Sequence, residues 1–322
     1  VFGLVSIASA DNNFESSGSM KWRGEETSDV LSPGLTLAVN TKSIDFMKMG
    51  LNWDLKFMPD PKVMVFFQPK FVKTSGDVTI GSKIASASGG VSDSGLDVHQ
   101  AYFTYVQSDR MKFTFGRFEA NFGDEYVVGS ASWDFTGRAL DGILMGYKWS
   151  KGGMHVWYSK LEEADAALAP AAATFDDKDV FGFYHSMPLG DVVSAFDFYY
   201  IVVSDRTTQT APGPTELVNT TGFRVKGGVA AADFTVEYNT QSGEATDSGT
   251  LLKTDLNDAG SMRLEAGYTM NQNWRVGLQY LTSDRNYDQL LASGHKWLGH
   301  MDLFSQKNIT DTAVNVSGKF LE

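Results

Sequence analysis

Twelve lysines and arginines fall on the polar side of alternating segments of this sequence, and the chemistry they offer is anion attraction rather than catalysis. They are Lys21, Arg23, Lys48, Lys56, Lys70, Lys112, Lys148, Arg224, Lys226, Arg263, Arg275 and Lys319. Asp54, Asp197, Glu237, Glu265 and Asp311 are the acidic residues of that side. Bases therefore outnumber acids there, although the chain as a whole carries a formal net charge of −12. The acidic excess sits in connecting segments, at Glu25, Glu26, Glu162, Glu163, Asp176 and Asp177 among others. A basic wall under an acidic rim favours anions weakly, because a tube with low-dielectric walls focuses the field. The opposing reading is that cross-strand pairs, such as Arg275 with Glu237, cancel locally and only brace the wall.

Enzymatic chemistry finds little support. The chain has five histidines and no cysteine. His99, His155, His185, His295 and His300 lie in no nucleophile motif of the kind that pairs a base with an activated serine. His185 beside Ser186 is better read as a histidine at a strand end. His295, His300 and Asp302 read as surface-loop residues. Asp176, Asp177 and Asp179 lack the glycine and glutamate spacing of a calcium loop. No catalytic residue, metal ligand or cofactor is expected, and an acidic chain is a poor partner for nucleic acid.

The elements that must position these charges are strands. In 47–57, Met47, Met49, Leu51, Trp53, Leu55 and Phe57 alternate with Lys48, Gly50, Asn52, Asp54 and Lys56. Such a period of two is that of a β-strand between two different environments. A Pro59-Asp60-Pro61-Lys62 turn leads back into Val63, Val65, Phe67 and Phe71. Hairpins of this form repeat to the end of the chain, joined alternately by short turns and by long Gly/Ser/Thr/Asp-rich segments. Starting at 20–24 and ending at 309–320, the pattern predicts 14 strands, with 16 as the alternative if 34–40 or 298–304 add to them. No run of about 18 apolar residues suggests a transmembrane helix. The expected fold is all-β: one transmembrane antiparallel up-and-down β-barrel over 1–322, with short turns on one side and long loops on the other. Residues 1–13 read as an N-terminal segment carrying a signal-peptide remnant, and 321–322 as a tag scar.

The segment 119–136 stands apart from the other loops. It carries Phe122, Tyr126, Trp133 and Phe135 among Glu119, Asp124, Glu125 and Asp134, more aromatic surface than water tolerates well. It is expected to fold inward as a constriction, its base held by Arg117, Arg138 and Asp141; the alternative is an outward surface loop. The segment 287–304 is the other candidate for inward folding.

Two resemblances bear on identity. A last strand ending in Phe320 resembles the C-terminal strand of bacterial outer-membrane barrels, which implies that Phe320 belongs to the signal read by the barrel assembly machinery. Gly116-Arg117, Glu119, Gly123-Asp124, Val128-Gly129-Ser130, Trp133, Gly137-Arg138 and Asp141-Gly142 resemble a strand–loop–strand block of the alginate-export family. Tyr287-Asp288-Gln289-Leu290, His295-Lys296 and 300–304 are similar to a late loop of the same family. The resemblance implies a passive channel in the Gram-negative outer membrane. The expected function is porin-like diffusion of small hydrophilic solutes. The alternative is an occluded, structural barrel acting through oligomerisation. Outer-membrane lipid and further copies of the chain, as a trimer or larger ring, are the expected partners.

Overall fold

Large apolar residues line the exposed face of the described strands, while the opposite face buries polar and charged residues together with Trp157, Ile201 and Val203. In the computed structural model the described residues are 3–11, 13–27, 44–75, 95–163, 177–206, 216–246, 253–256, 259–270, 273–298 and 305–318. Along β14 (Ala259–Met270), Leu264, Tyr268 and Met270 are exposed while Ser261 and Arg263 are buried. In β10 (Val193–Asp205), Phe198 and Tyr200 are exposed while Asp197 and Tyr199 are buried. A soluble β-sandwich has the reverse arrangement, with its apolar faces packed together in the core. Apolar-out and polar-in is the arrangement of a strand that crosses lipid.

The remaining strands are β1 (Gly3–Asp11), β2 (Phe14–Thr27), β3 (Ile44–Asp60), β4 (Val63–Thr74), β5 (Gly95–Ser108), β6 (Met111–Phe118), β7 (Leu140–Trp149) and β8 (Gly152–Glu163). They continue with β9 (Asp177–Leu189), β11 (Glu216–Val229), β12 (Ala232–Thr246), β13 (Lys253–Asp255), β15 (Trp274–Ser283) and β16 (Ile309–Gly318). One four-residue helix, α1 (His295–Leu298), is described. The strands follow one another antiparallel in chain order, with the three-residue β13 pairing β12 off the main path. The fourteen strands expected from the sequence are β2–β12 and β14–β16. β1 and β13 are additional, and neither comes from the segments thought able to add strands. Of those, 34–40 lies outside the described residues, and 298–304 does too apart from Leu298, which ends α1. Lys319, Phe320, residues 321–322 and His300 also lie outside them.

To close the sheet near Lys21–Gly24 the last strand would need a free side of β2, but at Lys21 and Trp22 that strand already lies between two others. Lys21 pairs Leu4 of β1 and Gly50 of β3. Among the described residues β16 pairs β15, and no ladder joins it to β1 or β2.

The chain divides into two compact units. The first comprises Val1–Thr104 with Ser132–Ala139, and the second Tyr105–Ala131 with Leu140–Glu322. The second packs its polar face with aromatic rings laid over glycines. The Trp157 indole lies across Gly182, where an added Cβ would meet its ring at 1.9 Å. Tyr199 covers Gly222 in the same way, at 2.5 Å. Phe122 stacks on Trp157 (ring centroids 4.5 Å apart), and Tyr184 on Tyr199 (5.7 Å). On the exposed face, His185 stacks on Trp149 at 5.2 Å, among the exposed aromatic residues that mark a membrane interface.

Candidate functional site

The polar face of the second unit is a lattice of arginines and carboxylates. Register places Arg224 of β11 opposite Asp197 of β10, and Arg263 of β14 opposite Glu237 of β12. Arg224 donates through Nε to Asp197 (2.7 Å), which also accepts from the Tyr184 hydroxyl (2.6 Å). Arg263, fully buried, reaches Glu237 (3.0 Å) and Glu265 (3.3 Å). Arg275 makes a bidentate pair with Asp233, at 2.8 and 2.6 Å, and also contacts Glu265 at 3.0 Å. To reach Asp233 on β12 its guanidinium crosses β14 over Gly267, where a Cβ would stand 2.3 Å from it. These rows of alternating sign satisfy one another within the wall, and a planar guanidinium can hold two carboxylates at once.

The segment 119–131 folds onto this lattice. Phe122, Tyr126, Val127 and Val128 are buried, as is Ala120. Asp124 completes the arginine row, lying 2.9 Å from both Arg224 and Arg263 and 3.6 Å from Lys226. Burial opposes its ionisation, but Arg224, then Arg263 and Lys226, outweigh that and hold the carboxyl at about 2. Tyr126 shares a hydrogen bond with Ser261 at 2.5 Å, and burial pushes its phenol up to about 12. Glu125 adopts a left-handed backbone (φ 66°), and its carboxylate accepts from Ser293 (2.7 Å) and faces Lys296 (3.5 Å). Strained backbone of this kind persists where its surroundings over-determine it.

The late segment 287–298 packs beside it. Val128 bridges Leu291, Tyr287 and Trp297 are buried, and the Trp297 ring lies 4.1 Å from the Arg263 guanidinium carbon. Glu119, half-buried, begins the inward run after Phe118.

In the first unit the tip 132–139 meets a different wall. Phe135 is buried over Gly50, where a Cβ would stand 2.9 Å from its ring. Arg23 lies 4.8 Å from the Trp133 ring and 5.0 Å from the Phe135 ring. Lys48 lies 6.0 Å from Phe135. Lys21 donates to the Trp133 carbonyl, and Lys70 to the Thr136 carbonyl at 2.9 Å. Asp134 supplies negative charge here, attracting both Lys21 and Arg138. A cleft of about 50 Å³ remains between them, lined by Ser19, Lys21, Asn52, Lys70, Ser132 and Asp134. Lys56 instead pairs with Glu15 at 3.0 Å.

Arg117 and Asp141 are placed differently from expectation. They pair with each other at 2.5 Å across β6 and β7, on the side of Phe115 and Ile143. Phe118 and Leu140, on the opposite side, are the buried neighbours of the inward segment. The pair therefore joins strand ends on the outer face rather than holding the constriction. Sequence reasoning also left out Asp233 and Tyr184, and it named Tyr287 only as part of the late loop. Extending the alternation of β12 back by one residue recovers Asp233, and the parity opposite Phe181, Phe183 and His185 recovers Tyr184.

The profile of the alginate export family matches residues 8–294. The chain belongs to the alginate export family. No curated protein matches it as a relative. Among solved structures, it is similar to Pseudomonas aeruginosa OccK5 (OpdH) at 10% identity and a TM-score of 0.52, covering 97% of this chain and 75% of that one. Pseudomonas aeruginosa OccK11 (OpdR) aligns at 11% identity and a TM-score of 0.50, covering 88% and 64%. OmpF of Salmonella typhi, solved with daunomycin, aligns at 12% identity and a TM-score of 0.43 over 97% and 99%. This alginate export family member is thus an outer-membrane β-barrel of the channel type, with its exposed apolar face toward lipid and its polar face lining the lumen.

Proposed function

We propose that the chain is a passive diffusion channel for small hydrophilic solutes, weakly favouring anions. The observation that carries this reading is the segregation of cation types on the lumen face. The arginines of β11, β14 and β15 are each matched by two or more carboxylates. Lys21 and Lys70 instead give their ammoniums to main-chain carbonyls of the tip, with Asp134 as the acid acting on Lys21. Alginate is itself a chain of carboxylates, so the family's name agrees with a lumen tuned to that group. Lumen-lining residues on this reading are Arg23, Lys48, Lys56, Lys70, Lys112, Lys148, Lys226 and, within the braced lattice, Arg224, Arg263, Glu265 and Arg275. The constriction is formed by Asp124, Glu125, Trp133, Asp134 and Arg138, with Glu119 at its start. Assembly would use Phe320 as the terminal signal, and homo-oligomers would pack through the apolar face.

The second reading, an occluded barrel with a structural role, is favoured by the buried packing of 119–131 and 287–298. Single-channel recording separates the two. The channel reading expects stable steps on the nanosiemens scale, and near-zero conductance would overturn it in favour of occlusion.

A further inference from the structure

We infer a discrete oxyanion subsite on the lumen face at the short-turn end of β6–β8, formed by Lys112, Lys148 and His155 around Gly146. The inference rests on the channel reading only in that the subsite faces the lumen. Register sets Lys112 opposite Gly146, and Gly146 opposite His155, so the three stand side by side across β6, β7 and β8. Lys148 lies two residues beyond Gly146 on the same face, opposite Gly153.

The glycine shapes the site. A Cβ at Gly146 would meet the Lys112 stem at 3.3 Å and the His155 ring at 3.4 Å. With only hydrogen there, the Lys112 stem and the His155 ring close together over the buried Gly146 backbone. The Lys148 stem lies along Gly153, whose Cβ would stand 3.8 Å from it.

The charge at this spot is one-sided. Both lysines are exposed, and both exert their charge on His155. Among the described residues neither ammonium has a carboxylate partner, in contrast to Arg224, Arg263 and Arg275. His155 is steadied from behind by Phe122, its ring centroid 5.4 Å away. In either tautomer the imidazole offers one N–H. Two ammoniums and an imidazole N–H on three adjacent strands supply the charge and donors that suit the oxygens of a carboxylate or a phosphate. The subsite binds that shared group, whether on a free ion or on a larger solute.

The test uses the purified full-length protein in detergent, with inorganic phosphate as one probe and acetate as the other. Binding is read by titration calorimetry and by phosphorus NMR line width. Folding of each variant is checked by its heat-dependent gel mobility. The double variant K112Q/K148Q is expected to weaken phosphate binding roughly tenfold or more, the scale of losing hydrogen bonds to a charged group. Variant G146V, which pushes the Lys112 stem and the His155 ring apart, should weaken it as well, while K62Q, at an exposed turn, should leave it unchanged. Acetate binding alone would identify a carboxylate site, phosphate binding alone a phosphate site, and both would identify a general oxyanion site. The inference is overturned if the wild type binds neither probe, or if K112Q/K148Q binds as the wild type does. Bilayer conductance is measured in parallel. A conducting protein that binds no oxyanion defeats the subsite and spares the channel, and a non-conducting protein that binds phosphate does the reverse.

Discussion

The lumen faces of β11–β15 and of β2–β4 carry cations at alternating positions, yet the two walls use them in different ways. In β11–β15 the cations are mostly arginines, and Arg224, Arg263 and Arg275 are locked between carboxylates of neighbouring strands and, at Asp124, of the inward segment. In β2–β4, Lys21 and Lys70 hold main-chain carbonyls of the tip 132–136, and Arg23 lies against aromatic rings. A guanidinium is planar, weakly hydrated and able to bridge two acids, whereas an ammonium keeps its hydration and acts as a point charge. Counting lysine and arginine alike therefore overstates the field from the first wall. On the proposed reading, arginine braces the barrel wall and lysine sets its potential.

This difference can be broken at several points. The largest effect is expected for R263A, which leaves Glu237 buried without its cation. Loss of about 3–5 kcal/mol is expected from such a broken buried pair, measured as the unfolding transition of the detergent-solubilised protein. The paired change R263M/E237M should recover much of that loss, since a matched apolar pair has no charge to desolvate.

Next is D124N, expected to cost about 2 kcal/mol through charge-assisted hydrogen bonds to Arg224 and Arg263 and to raise conductance by freeing the inward segment. Because those sites are in contact, D124N and R263A should not add. The same carboxylate fixes a pH dependence. Its folded value, about 2, lies below its ordinary 3.8, so its contribution is fully present above pH 4 and is lost as pH falls toward 2. Conductance and protease resistance of the inward segment should be unchanged between pH 7 and 5 and should shift only below about 4, judged from the ordinary aspartate range.

A smaller effect is expected for W133A, which keeps the buried Phe135 in place. Removing the Trp133 ring beside Lys21 and Arg23 forfeits cation–π contacts of about 0.5–1 kcal/mol each. Single-channel recording should show wider or noisier open steps with little change in the unfolding transition. The smallest stability effect belongs to K112Q/K148Q, expected within about 0.5 kcal/mol of wild type because neither lysine braces a partner. An equal loss for R263A and K112Q/K148Q would erase the distinction between bracing arginines and unbraced lysines.

Much of the fold was legible because a period of two reports which face a residue occupies, whatever its partner. Met47 to Phe57 or Met262 to Tyr268 sort themselves without any knowledge of register. The same period tells against Arg117 and Asp141 as holders of the constriction base: Arg117 continues the outer row of Phe113 and Phe115 and pairs with Asp141 of β7 there. β1 escaped because its sequence, GLVSIASAD, alternates weakly and ends in an Ala-Ser-Ala that suggests cleavage. β13 is too short to show any period. The aromatic content of 119–136 signalled a segment that avoids water. Its anchors, Ser261 for Tyr126 and Ser293 for Glu125, lie 135 and 168 residues away and leave no local trace.

The division between bracing arginines and field-setting lysines is tested most directly by the reversal potential of the channel in a planar bilayer under a KCl gradient. Wild type is expected to favour chloride weakly, and K21Q/K70Q/K112Q/K148Q to lose that preference while folding normally. A wild-type preference for potassium, or a quadruple variant as anion-favouring as the wild type, would contradict it.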